Sequence, residues 1–271
     1  LFELEKSGRV YGDSLSYTAN TGPGAGNTNR AGSGAGHGGT GGAGKGCEFS
    51  SGGGAYDDAY LPVLGGSGGG SCSHGRSGGT GGSAMRIVSL HASFIEGRLT
   101  SSGGSGSGGG GGGSGGAIWV DSDVIEGWGL IQANGGSAYS DCEGGCFRSS
   151  CCCYHYGGGG GGGRIRTFSS NHTHIVVHKQ RYVSGGPGAG DNGASGSLVD
   201  YHGNKCSGHG TMSNGVCTCR SGYVGSDCQF ECDSDSVCNN HGNCSQSGAC
   251  TCEEGYGGQG CDVQCHRNTS C

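Results

Sequence analysis

Residues 112–136 read GGSGGAIWVDSDVIEGWGLIQANGG. Short apolar islands at 117–120, 124–125 and 130–131 sit between polar corners, inside glycine-rich flanks. Islands this short, built from Val, Ile and Trp, suit strands better than helices. The order recurs upstream, where Arg86-Ile87-Val88-Ser89-Leu90 leads to Phe94-Ile95-Glu96-Gly97 and then Gly103-Gly104. A looser copy starts at Arg164-Ile165-Arg166-Thr167-Phe168 and ends near Gly185-Gly186. A weaker one runs from Gly8-Arg9-Val10-Tyr11 to Tyr17-Thr18-Ala19-Asn20. Glu96 and Glu126 mark a spacing of 30 residues. Short strands, a turn and a glycine-rich loop at that period point to the stacked coils of a β-solenoid, each burying its strands against its neighbours. A β-sandwich with long loops, and glycine runs packed as polyglycine-II helices, are the competing arrangements.

Composition narrows the function. The chain has 271 residues, with 70 Gly, 19 Cys and only 3 Pro; Leu, Ile, Val and Phe together number 35. So few large apolar side chains cannot offset the chain entropy of an ordinary enzyme core. Collagen is excluded, because glycine has no three-residue period and proline is scarce. A net charge of −6 without a basic run argues against nucleic acid as a partner. No apolar run is long enough to span a membrane. Nineteen cysteines indicate an oxidising, extracellular setting. The opening Leu1-Phe2-Glu3-Leu4 carries neither an initiator Met nor an apolar leader, as expected of a mature or partial product.

The chain divides near residue 200. Residues 1–200 hold 58 glycines and 7 cysteines; residues 201–271 hold 12 of each. In the second part Cys232, Cys238, Cys244, Cys250, Cys252 and Cys261 are separated by 5, 5, 5, 1 and 8 residues, and Gly255-Tyr256 and Gly258 fall between the last two. Spacing alone leaves 15 connectivities open. This segment, 232–261, resembles an EGF-like module. The resemblance implies pairs Cys232–Cys244, Cys238–Cys250 and Cys252–Cys261. Some 30 residues with few apolar side chains need such staples.

The preceding segment, 201–228, aligns onto that module. Cys206, Cys217, Cys219 and Cys228 fall at its second, fourth, fifth and sixth cysteines, with Met212 at the third. The two missing cysteines would bond each other, so a reduced four-cysteine module with pairs Cys206–Cys217 and Cys219–Cys228 is expected. Residues 265–271 repeat the start of a module, and Cys265 and Cys271 would normally pair outside the chain. Gln229-Phe230-Glu231 and Ser245-Gln246-Ser247 do not fit a calcium-binding EGF-like edge. Of the seven upstream cysteines, Cys47 and Cys72 stand alone, and Cys142, Cys146, Cys151, Cys152 and Cys153 form an insertion near 142–153. An odd number requires one to be free or to pair elsewhere. Disulfides are expected there rather than a thiolate metal cluster.

Glycine-rich sequence generates false motifs. Residues 39–46 imitate a phosphate-binding loop, but Gly46 stands where Ser or Thr must hold magnesium. Gly-x-Ser-x-Gly at 65–69 and 112–116 lies in low-complexity runs. Residues 185–191 imitate a calcium β-roll repeat with its Asp one place late. His172, His174 and His178 alternate, as do Asp121 and Asp123; a solvent-facing strand explains both. No nucleophile has an identifiable base, so no catalytic residue, cofactor or metal is expected. Asn171, Asn243 and Asn268 are N-glycosylation sequons, and the Ser-rich loops could carry O-linked glycans.

Glycine-rich β units followed by tandem EGF-like modules resemble the mastigoneme family, the structural proteins of flagellar hairs. The EGF-like part of that resemblance covers about 65 residues of the second part and the looser glycine-rich part 80–200. It implies a secreted, glycosylated, non-catalytic filament subunit at the cell or flagellar surface that self-associates, alone or with related subunits. Stacking between copies would supply the missing core. A secreted adhesin or ligand-binding module with EGF-like spacers is the alternative.

Overall fold

In the computed structural model, residues 1–46, 48–72, 76–141, 155–169, 175–177, 180–202, 205–213, 216–225, 228–232, 234–245 and 248–265 are described. They form two compact units, Leu1–Tyr201 and His202–Cys271.

The first unit is built almost wholly from short strands. β1 (Phe2–Leu4) and β2 (Arg9–Tyr11) open it. β3 (Ala84–Val88), β4 (Ala92–Ile95) and β5 (Arg98–Thr100) make one coil. β6 (Ala117–Ser122), β7 (Val124–Gly127) and β8 (Leu130–Gln132) make the next. After the small hairpin β9 (Ser140–Asp141) and β10 (His155–Tyr156), a further coil holds β11 (Arg164–Ser169), β12 (Ile175–Val177) and β13 (Arg181–Tyr182). β14 (Ser197–His202) closes the stack. The coils pair in parallel into three four-stranded sheets ordered β3-β6-β11-β14, β1-β4-β7-β12 and β2-β5-β8-β13. This is a three-faced β-solenoid, and the sandwich is excluded.

Its interior is a short aliphatic column. Ile118 stands between Met85 and Ile165, and Leu99 stands opposite Ile131. Leu4, Ile95, Val120 and Ile125 complete the same core. The repeat differs in detail from its sequence reading: Glu126 pairs with Phe94 rather than Glu96. A slip of two residues preserves the inward face, so hydrophobic pattern alone does not set the register. The two inner strands of the first sheet, β6 and β11, are also buried on their outer side. Trp119 lies in register between Arg86 and Arg166, whose guanidinium carbons are 4.1 and 4.5 Å from its ring centroid. Asp121, expected to face solvent, is 3% exposed in this sheet, and Asp123 lies beyond the end of β6.

The glycine runs are the second half of the core. Between coils the chain leaves the solenoid and returns as extended segments packed side by side. Gly111, Gly112 and Gly113 donate in turn to Gly70, Gly158 and Gly104, each at 2.9 Å. Ser114, Gly115 and Gly116 repeat the cycle, donating to Ser67, Gly161 and Ser101. The carbonyls of Gly111, Gly112 and Gly113 accept from Gly79, Ala35 and Gly136. A threefold helix thus meets six neighbouring segments, and every interior amide of this stretch is satisfied. Gly158 to Gly163 behave alike, donating in turn to Gly32, Asp191, Gly136, Ala35, Ala194 and Ala133. Solenoid and polyglycine-II-like bundle are therefore consecutive parts of one unit rather than alternatives.

At most positions of the bundle centre only glycine fits, with small Ser33, Ala35, Ser67 and Ser114 buried among the glycines. A Cβ on Gly112 would lie 2.0 Å from the Gly136 carbonyl oxygen, and one on Gly111 1.9 Å from that of Ser33. The partners of these central glycines come from the same chain. The argument that a second copy must supply the core therefore falls. Residues 1–80, which carry little sequence signal, provide the first solenoid edge and much of the bundle.

The second unit is small and disulfide-rich. It contains hairpins of β15 (Gly210–Ser213) with β16 (Val216–Cys219), and β17 (Tyr223–Val224) with β18 (Phe230–Glu231). β19 (Gly242–Cys244) pairs with β20 (Cys250–Cys252), and β21 (Tyr256–Gly257) with β22 (Val263–Gln264). A single helical turn, α1 (Ser234–Val237), precedes β19.

Candidate interaction surfaces

Between described residues of the second unit, disulfides join Cys206–Cys217, Cys219–Cys228, Cys232–Cys244, Cys238–Cys250 and Cys252–Cys261. The sulfurs of Cys232, Cys238 and Cys244 lie close together, but all three are oxidised and offer no thiolate to a metal. The two modules share more than cysteines. His209 stacks on Tyr223 with centroids 3.8 Å apart, and His241 stacks on Tyr256 at 3.7 Å. Gly210 pairs with Cys219 and Gly242 with Cys252. A Cβ on either glycine would meet the sulfur of Cys228 or Cys261 at 2.7 Å. Sequence reading missed this stack. Its signal is the repeated Cys-x-x-His-Gly followed by Gly-Tyr.

Other expected sites are placed unevenly. Asn243 is exposed on β19. Asn171, Asn268, His172, His174 and His178 lie outside the described residues, as do Cys47, Cys142, Cys146, Cys151, Cys152, Cys153 and Cys271. Cys72 is buried, its thiol 2.7 Å from the Arg30 carbonyl. Cys265, expected to await a partner outside the chain, is disulfide-bonded.

The false motifs are absorbed by packing. The amides of Gly39, Gly41 and Gly42 donate to Gly162, Gly53 and Gly159, leaving none of the three to cradle a phosphate. Ser67 and Ser114 are fully buried and interlocked, the Ser67 amide donating to Ser114 Oγ at 2.8 Å. Asp191 is ion-paired with Lys45.

One buried polar cluster ties a glycine hairpin to its surroundings. His37 sits at a turn, with Nδ1 2.8 Å from the Gly115 carbonyl and Nε2 3.3 Å from Asp57. Both partners are acceptors, so this geometry suits an imidazolium paired with a carboxylate. Burial pushes the Asp57 carboxyl up. The His37 hydrogen bond, the amides of Leu64 and Asp58 and the charge of His37 outweigh it and hold the group below its ordinary value. Burial raises the Tyr56 hydroxyl to about 12. Desolvation lowers Arg164, which donates to the Tyr56 carbonyl. The His37 and Asp57 side chains are 0% and 4% exposed, so no substrate reaches them.

The solenoid ends differ in chemistry. β1, β2 and β3 are edge strands at one end, where Leu1 (74%), Leu90 (73%), Leu15 and Tyr11 are exposed. At the other end, Asp200 of β14 is ion-paired with Arg181 of β13 and accepts a hydrogen bond from Thr167.

Residues 203–231 match the family described as Teneurin-like EGF domain. The match falls on the reduced four-cysteine module. No curated protein and no solved structure matches the chain. EGF-like modules and several disulfides are features of an extracellular protein. Among the described residues, no helix is long and apolar enough to cross a membrane.

Proposed function

We propose that the chain is a non-catalytic structural subunit of an extracellular filament, of the flagellar-hair type that its sequence resembles. The observation that carries this reading is that, among the described residues, each of the three solenoid sheets ends in an edge strand on both sides. Edge strands present backbone donors and acceptors that template pairing with another chain. Solenoids that stay monomeric cover such ends with polar caps, whereas β1, β2 and β3 are flanked by exposed Leu1, Leu15 and Leu90. The two ends carry different strands, so contact between copies is head-to-tail, the mode that propagates into fibres. The buried serines and sealed His37–Asp57 pair support a non-catalytic role. Glycosylation at the exposed Asn243 fits a secreted surface protein.

One observation favours a second reading, an adhesin or ligand-binding module with EGF-like spacers. The glycine bundle closes its core within one chain, so a monomer can stand alone. Electron microscopy and analytical ultracentrifugation of native, unreduced protein separate the two. Regular filaments with the solenoid as repeat support the first. Monomers at every concentration would sink it and leave the second.

A further inference from the structure

We propose that the outer face of the third sheet binds an anionic polysaccharide, with Arg9 and Arg98 gripping a carboxylate or sulfate and Tyr11 carrying the sugar ring. This proposal does not depend on filament assembly.

Arg9 of β2 and Arg98 of β5 stand directly opposite each other in a parallel ladder. Neighbouring strands lie about 4.8 Å apart, and like charges directly opposite are destabilising. Both arginines are exposed, and neither guanidinium has a hydrogen-bond or ion-pair partner among the described residues. An anion seated between two guanidinium groups would relieve the repulsion, and each can bind it through two parallel N–H donors.

The surroundings select a sugar over a bare anion. The arginines line an open depression of about 350 Å³ that also includes Tyr11, Asp13, Thr100 and Gln132. Tyr11, Thr100 and Gln132 form the next outward row, in register across β2, β5 and β8. Tyr11 is 65% exposed at the rim and offers a flat apolar face for the C–H side of a pyranose. Asp13 is held by Thr100 Oγ1 at 2.8 Å and the Ser102 amide at 2.6 Å. A fixed carboxylate in the same groove can accept hydrogen bonds from hydroxyls, which a bare anion lacks. The Gln132 amide, 3.3 Å from Ser102 Oγ, can serve hydroxyls as well. A guanidinium pair, a carboxylate acceptor, an amide and an aromatic platform in one shallow groove match an acidic, polyhydroxylated chain. A peptide of acidic side chains alone would leave the aromatic platform unused.

The test is retention of the purified full chain on immobilised polygalacturonate, dextran sulfate, neutral dextran and poly-glutamate. Binding to one or both anionic polysaccharides, released by salt and absent on dextran, is expected; the two resins distinguish carboxylate from sulfate. Arg98→Gln should weaken binding at least about tenfold, one charge-assisted bidentate contact, and Tyr11→Ala should weaken it severalfold. Arg220→Gln removes the same charge from the other unit and should change nothing. Failure to bind either anionic polysaccharide would overturn the proposal. So would equal retention on poly-glutamate, or equal losses from Arg98→Gln and Arg220→Gln.

Discussion

Gly160 faces Gly113 so closely that a Cβ on Gly160 would lie 2.0 Å from the Gly113 carbonyl oxygen. At the same time the Gly160 amide donates to Gly136 at 2.9 Å. Close approach and hydrogen bonding are one feature: segments come near enough to bond because neither side carries a side chain. The usual entropic cost of glycine, about 0.5–1 kcal/mol per residue relative to Ala, is offset by saturated backbone bonding in a dry interior.

The first prediction is that Gly160→Ala destabilises the glycine-rich unit by more than the ~1–3 kcal/mol of ordinary overpacking, because the obstructing atoms are backbone. Gly54 meets nothing within 4 Å. Gly54→Ala should be neutral or stabilising by up to about 1 kcal/mol. Thermal melts of the two variants provide the comparison.

Loss of the Cys219–Cys228 disulfide should act on the second unit alone. Replacing both Cys219 and Cys228 with Ser should cost about 2–5 kcal/mol there and expose Tyr223, which rests on His209. The first unit should melt unchanged in that variant, since aliphatic packing and backbone bonds hold its core.

Acid should weaken the first unit through Asp57. Its folded pKa lies below the ordinary 3.8, so its contribution is present above that value and is lost as pH falls through the folded pKa. Asp57→Asn should flatten this acid limb and lower stability at neutral pH by about 1–3 kcal/mol, because one of the two carboxylate oxygens that accept from His37, Leu64 and Asp58 becomes a donor and the charge is lost. Tyr56 acts at the other extreme. Its pKa is raised to about 12, so stability should fall between pH 10 and pH 12. In Tyr56→Phe that alkaline limb should disappear. Urea titrations across pH give both limbs.

Legibility in the sequence followed the range of the interactions. The EGF-like modules are readable because disulfides fix covalent spacing within 12 residues, as at Cys232–Cys244. The strands at 117–120 and 164–168 are readable because Ile118, Val120 and Ile165 declare an inward face. β1 is not, because Phe2 pairs with Ser93 and nothing local to residues 1–4 marks a strand. The bundle is least readable, since Gly112 reaches Gly158 and Gly136 and glycine has no side chain to record a partner. Asp121 misled because a charge alternating with apolar residues usually marks a wet face, whereas β6 is covered on both sides.

The central claim is that the glycine runs are core rather than linker. Amide hydrogen exchange, read residue by residue, tests it most directly. Gly111–Gly116 and Gly158–Gly163 should be among the slowest amides of the first unit, comparable with Ile118 and Val120 and opening only with global unfolding. Exchange of these glycines at unstructured rates, with Ile118 and Val120 still protected, would contradict the account.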